Sequence, residues 1–474
     1  MSGTDRTIVV GSGPNGLSAA IALAQAGRSV TVYETAPTPG GGARTAELTL
    51  PGFHHDVCST IHALAPSSPF LSTLGLERFS LEWVRPELPL AHPFDDGTAA
   101  LLARSVDETA AQFSPVDADA YRRLIGPLAA RTETLWEMFL GPIQGAFRHP
   151  VLAAQFGTRG LWPAPTLARA RFHSPQAQAL LAGNAAHSVL DLHEPATSSI
   201  ALMLMLAAHA DGWPFARGGT QALIDAMVAL LQELGGTIVT DHPVRSLRDL
   251  PDDATVVFDL TPRQIVEIAG DELPASYRRQ LGRFRYGASA FKLDWALDGP
   301  IPWTAPDARR AGTVHLGGSL EEIVTSEAIM ASGGESQRPF VLLTQPTIAD
   351  PSRAPAGKHI AWSYCHVPSG STVDMTDRME AQVERFAPGF RDLIIGRSVM
   401  RPDDWSRYNE NYVGGDINGG RQDLRQQFTR PVPRFNPYST PNPRLFICSA
   451  STPPGGGIHG MSGFHGAQAA LGRR

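Results

Sequence analysis

The apolar positions of the chain fall into runs of different length and period. A short continuous run, Ile8 to Val10, gives way to a turn marked by glycines. A longer apolar stretch, Leu17 to Ala26, and a second short run, Ser29 to Tyr33, follow. Short runs bounded by glycine predict buried strands and the longer one predicts a helix, so the segment reads as strand, turn, helix, strand. Further along, Leu223, Met227, Leu230, Leu231 and Leu234 recur at helical spacing and predict a helix with one buried face. Thr255 to Leu260 and Leu445 to Cys448 read as fully buried strands. In SAFKLDWALDGPIPW, Phe291, Leu293 and Trp295 share one strand face and Lys292 and Asp294 the other; that second face is expected to be solvated, with no ion pair across it.

The region from Phe172 to Gly219 is rich in Leu, Met and Ala with helical period. Its densest part, Ser198 to Ala210, falls short of the roughly 20 residues that span a bilayer, and reads as a core helix or the wall of an apolar pocket. FLGPIQGAFRHPV, ending at Val151, is an amphipathic edge that suggests peripheral membrane contact.

Length and composition narrow the picture. At 474 residues the chain exceeds what one hydrophobic core usually organises, so two domains are expected. A formal charge of -6 without any basic run argues against a nucleic-acid partner. Three scattered cysteines, Cys58, Cys365 and Cys448, have no metal-type or Cys-x-x-Cys spacing, and no metal site is expected. The polar start passes straight into a strand, and a reduced, cytoplasmic setting is the simplest expectation.

The first glycine cluster carries chemistry. Gly11 permits a tight turn, Gly13 lets the backbone approach a pyrophosphate, and Gly16 lets helix and strand pack closely. Pro14 and Asn15 open the helix whose N-terminus would hold the phosphates. Glu34, at the end of the second strand, suits both hydroxyls of an adenine-linked ribose and would repel a 2'-phosphate. The fingerprint alone leaves NAD and FAD open. A second cluster follows at once, with Gly40, Gly41, Gly42, Ala43 and Arg44, giving a second backbone approach and a cation that neutralises the pyrophosphate or braces the loop.

This second motif resembles that of the phytoene desaturase-like FAD-dependent oxidoreductases, within the wider flavin amine oxidase superfamily. Three other segments agree: FARGGTQALIDAMVALLQELGGTIVTDHPVRSL, DATVVFDLTPRQI, and the last block, PRLFICSASTPPGGGIHGMSG. The resemblance implies an α/β protein, a glutathione-reductase-type Rossmann-like FAD domain with an inserted α+β substrate domain. The FAD domain would comprise residues 1–85, 215–265 and 430–474, and the substrate domain residues 86–214 and 266–429. By the same resemblance Val244 contacts the adenine, while Ser449, Gly456, Gly457, Ile458 and His459 belong to the loop that wraps ribityl chain and flavin. The helix begun by Gly460 and Gly463 aims its N-terminus at the ring. One departure is that Ser449 and Ala450 stand where relatives commonly have Gly-Asp.

The implied activity is hydride abstraction from a largely apolar small molecule, forming a C=C or C=N bond, with oxygen, a quinone or another compound as electron acceptor. A redox-neutral isomerase and a flavin-free lipid or prenyl-binding protein are the competing readings. Lys292, one of only two lysines, is the residue that in amine-oxidase-like relatives holds a water against the flavin, and His459 in the flavin loop is a proton acceptor. His54, His55 and His62 are weaker acceptors of the same kind, and Cys58 approaches the ring by family layout.

Overall fold

A computed structural model describes residues 6–472. The predicted opening unit forms as β1 (Arg6–Val10), α1 (Pro14–Gln25) and β2 (Ser29–Tyr33). Its strands become the middle of a five-stranded, all-parallel sheet. The order is Leu445–Ile447, Thr255–Phe258, β1, β2 and Thr237–Val239. Burial on both faces accounts for the apolar runs of β1, Thr255–Phe258 and Leu445–Ile447, whereas β2 and the edge strand Thr237–Val239 are partly exposed. The sheet is thus assembled from three stretches far apart in the chain. The helix Gln221–Glu233 buries Leu223, Met227, Leu230 and Leu231, with Leu234 half-buried just beyond its end.

A second, seven-stranded sheet runs in the order Ile394–Met400, Ser289–Leu297, His359–Val367, Val341–Thr344, Ala311–Leu316, Leu88–Pro93 and Ala99–Leu102. All neighbours are antiparallel except Leu88–Pro93 and Ala311–Leu316, which run parallel. One face carries Phe291, Leu293, Trp295, Val314, Leu343 and Ala361 into a separate apolar core. The helix Pro175–Ala186 packs against Leu88–Pro93 and Ala99–Leu102, and Thr197–Asp211 packs in turn on that helix. Thr197–Asp211 satisfies both sequence readings at once. Ala201, Leu202, Met205 and Leu206 enter the core, and Ser199, Ile200, Met203 and Leu204 face a cavity.

The C-terminal helix Met461–Ala470 lies against α1. Glycines make the contact: a Cβ on Gly463 would lie 2.0 Å from the carbonyl oxygen of Asn15, and one on Gly460 2.3 Å from Ser18 Oγ. The two ends of the chain therefore close on each other.

Candidate cofactor and substrate site

Where the two sheets meet, a cavity of about 1040 Å³ runs from the ends of the parallel strands into the helical layer. Its first part is built from glycine turns. Gly11 has φ of +99°, and its amide bonds the carbonyl of Tyr33 at 2.8 Å, folding the turn back over β2. A Cβ on Gly41 would lie 3.0 Å from the Cα of Gly13, so the two glycine clusters face each other at backbone contact. Gly13, Pro14 and Asn15 from the first, and Gly41, Gly42, Ala43 and Arg44 from the second, border the cavity with Gly11. Gly16 does not. Its Cβ would meet the Gly11 carbonyl oxygen at 2.1 Å, so it shapes the turn from behind.

Glu34 is held facing this space. One carboxylate oxygen accepts from the Ser12 amide at 2.9 Å and hydroxyl at 2.6 Å, and the other accepts from the Ala36 amide at 2.9 Å. Arg44 braces the second turn. It donates to the carbonyls of Thr38 at 2.6 Å and Gly41 at 2.9 Å, and stands 3.5 Å from Glu34. Val244 is buried in the wall at the same end.

At the far end Ser449, Gly456, Gly457, Ile458 and His459 border the cavity, as the resemblance implies. The Ser68 hydroxyl donates to the His459 carbonyl at 2.5 Å and ties the loop down. His459 Nδ1 accepts the Met461 amide at 3.0 Å, so in its neutral form the proton sits on Nε2, which has no partner. Burial lowers its pKa to about 4. In this tautomer the ring carries its proton on Nε2, close to the backbone of Gly455 and Gly456.

Lys292 does not border the cavity. Sequence reasoning placed it on a solvated face without an ion pair. It is instead fully buried and bonded to Asp294, because residues two apart on a strand share a face and this face is covered. Its ammonium lies 5.8 Å from the ring centre of Trp362, which does border the cavity. Burial, opposed by Lys292, raises Asp294 to about 6, and burial with the Lys292 charge lowers neighbouring His55 to about 3. Beyond them Arg353 pairs with Asp56 at 2.9 Å. Cys58 borders the cavity as a buried thiol pushed up to about 11, an unreactive form.

Three residues escaped the sequence reading. Asp259, at the end of the strand Thr255–Phe258, accepts the Gly16 amide at 2.9 Å, where α1 begins. Burial, aided by Glu34 and opposed by the Gly16 amide, raises its pKa well above the usual carboxylate range. An acid just outside the carboxyl end of a parallel strand was a legible signal. Arg430 and Tyr412, both in the cavity wall, carried none; the Tyr412 hydroxyl lies where a Cβ on Gly42 would meet it at 1.9 Å.

The helical part of the cavity is mainly apolar, walled by Met138, Phe139, Leu140, Phe156, Ile200 and Met203, with His187, Thr344 and Tyr364 among its polar groups. Among the described residues no cluster of side chains has metal-binding geometry, and no helix is long and apolar enough to cross a membrane.

The arrangement is that of a dinucleotide site opening into an apolar chamber. A family model described as an NAD(P)-binding Rossmann-like domain matches residues 9–74. The phytoene dehydrogenase of Streptomyces griseus is 30% identical over 447 residues, covering 85% of this chain and 83% of that protein. Mouse (Mus musculus) pyridine nucleotide-disulfide oxidoreductase domain-containing protein 2 is 26% identical, covering 96% of this chain and 91% of its own. Among solved structures, an oxidoreductase from Methanosarcina mazei has a TM-score of 0.66 at 16% identity, covering 99% of this chain and 100% of that one. Putrescine oxidase bound to putrescine has a TM-score of 0.62 at 16% identity, covering 99% and 98%. Fold and site together define a flavin-dependent oxidoreductase. The chain belongs to the phytoene desaturase family of FAD-dependent enzymes.

The residues present fit FAD. Two glycine turns leave backbone room for a pyrophosphate, Glu34 faces the adenosine end, and a buried, unpartnered Asn15 Oδ1 and Arg430 Nε remain at the cavity wall.

Proposed function

We propose that the protein removes hydride from a largely apolar small molecule and leaves it with a new C=C or C=N bond. The observation that carries this reading is the continuity of the glycine-lined cofactor site with an apolar chamber of Met, Leu, Phe and Ile side chains. The phytoene names of its relatives support an apolar substrate. The cofactor domain is proposed as residues 1–85, 215–265 and 430–474, and the substrate domain as the stretches between. This division is supported by the origin of the strands in each sheet.

Bound FAD supplies the two-electron acceptor, and the chain supplies position, dryness and a place for the proton. The turn residues Gly13 and Gly41 bring backbone amides to the phosphates, Glu34 holds the ribose, and Val244 covers the adenine. The chamber strips water from the substrate, so a C–H bond presented to the ring has no competing solvent.

Forming C=C releases one proton besides the hydride. His62 suits that proton better than His459. The Thr220 hydroxyl donates to the Ser59 carbonyl at 2.7 Å, so His62 Nε2, 3.1 Å from Thr220 Oγ1, donates to that hydroxyl oxygen. His62 Nδ1 is left as an unpartnered lone pair on a residue of the cavity wall, and burial lowers the ring to about 4, keeping it in the accepting form.

The test is the visible spectrum of the purified protein, identification of the released cofactor, and anaerobic titration with apolar alkenes and amines. A compound that bleaches the flavin names the substrate class. Flavin that no such compound reduces, while polar hydroxy acids do, would sink the reading.

A further inference from the structure

We infer that Arg430 is the counter-charge for the electron-rich pyrimidine edge of the bound flavin, and so a tuning residue for the reaction; the inference rests on FAD as cofactor. Arg430 is 1% exposed and borders the cavity. Its Nη2 donates to the carbonyls of Gly419 at 2.9 Å and Ala450 at 3.1 Å, and Nη1 to the side-chain oxygens of Gln422 at 3.3 Å and Gln427 at 3.4 Å. Nε has no acceptor. Every partner is uncharged.

The other two buried arginines have carboxylates: Arg353 has Asp56 at 2.9 Å and Arg44 has Glu34 at 3.5 Å. Among the described residues none stands within ion-pair reach of Arg430. Asp416 and Asp423 act on it only through space, both favouring its charged form, and each is held by other donors. Asp416 accepts the amides of Gly287, Asn418 and Gly420, and Asp423 pairs with Arg285 and Arg421. Burial lowers the guanidinium to about 10, which leaves it charged at neutral pH. A buried guanidinium whose hydrogen bonds all go to neutral groups, with one N–H left over, is only partly compensated. A charge placed so, against a ligand cavity, calls for an anion from the ligand.

Position selects which part of the ligand. A Cβ on Gly455 would lie 2.5 Å from Nη1, so the guanidinium sits directly behind the glycine loop that resemblance assigns to the flavin ring. Ala450, whose carbonyl Arg430 holds, occupies the place where relatives commonly carry a carboxylate. With no acid there, the protein leaves the positive charge available. Negative charge gathers on the pyrimidine edge when the ring accepts hydride, and a buried cation nearby stabilises it.

Sulfite tests this without any substrate, since it adds reversibly to oxidised flavin and leaves negative charge on the ring. Holoenzyme carrying Arg430→Gln should bind sulfite about tenfold more weakly or worse, the loss expected for one charge-assisted hydrogen bond. Arg430→Lys should stay within about threefold of wild type, because it keeps the charge. Ala450→Asp, which neutralises the guanidinium in place, should weaken sulfite binding like Arg430→Gln, and it serves if that variant does not fold. Unchanged sulfite affinity in both charge-removing variants overturns the inference. So does a fall in FAD affinity with normal sulfite affinity in the remaining holoenzyme, which would assign Arg430 to the pyrophosphate. A wild-type protein that binds no flavin would instead refute the cofactor reading itself.

Discussion

Asp259 is a buried carboxyl group at the turn that opens α1, and its titration bears on stability and on binding. Its folded-state pKa is raised, so the proton it holds favours the folded state at pH values below the carboxylate's ordinary range, and that contribution is lost as pH rises. Asp259→Asn keeps an acceptor for the Gly16 amide and removes the titration. Its melting temperature should exceed that of wild type, with a gap that widens as pH increases. FAD affinity should fall with rising pH in wild type, as negative charge forms beside the pyrophosphate site, and stay flat in the variant. Lys292 gives a second prediction. Lys292→Met leaves Asp294 buried without its partner and should cost about 3 to 5 kcal/mol by denaturant unfolding, whereas Lys292→Met with Asp294→Leu should recover most of that. Neither effect could be drawn from sequence, because Asp259 meets Gly16 across 243 positions and the cover over Lys292 comes from other elements.

The elements themselves were mostly legible. The strand, helix and strand at the start, the helix Gln221–Glu233 and the strand Leu445–Ile447 follow from periodicity and from glycines whose turns need a positive φ. The crossing of α1 with the C-terminal helix was not, since it depends on which glycine faces which backbone. Gly463→Ala would press a methyl to 2.0 Å from the Asn15 carbonyl oxygen and 2.8 Å from Ser18 Cβ. It should destabilise by about 1 to 3 kcal/mol, as overpacking does, and weaken FAD binding by shifting Asn15 at the phosphate end. Gly126→Ala is the control. It lies inside a helix with nothing within 4 Å of its Cβ and should be neutral or stabilising by about 0.5 to 1 kcal/mol.

On the scale of the molecule, the cavity ends in apolar side chains that face outward. Phe147 is 76% exposed and Leu161 53%, both border the cavity, and Val151 and Trp162 lie beside them in sequence, also exposed. A rim of this kind suits transfer of a water-insoluble substrate from a lipid surface. Wild-type protein should therefore co-sediment with phosphatidylcholine vesicles. Phe147→Asp with Leu161→Asp should abolish that while leaving the flavin spectrum intact. Equal sedimentation of both proteins would remove the rim from the account of substrate delivery.

What the amino-acid sequence determined by itself was whatever a few neighbouring residues decide: two glycine turns, the strands and helices around them, the acid at Glu34 and the apolar character of the chamber wall. Steric freedom at glycine and the spacing of apolar side chains act over a few residues and are written in order along the chain. Only the tertiary structure decided the electrostatics. It buried Arg430 in the cavity wall with no acid in ion-pair contact, set Asp259 at the head of α1 where burial raises its pKa, and closed Lys292 onto Asp294 behind Trp362. Charge depends on what surrounds a group in space, and strand order within the two sheets brings those surroundings together from distant parts of the chain.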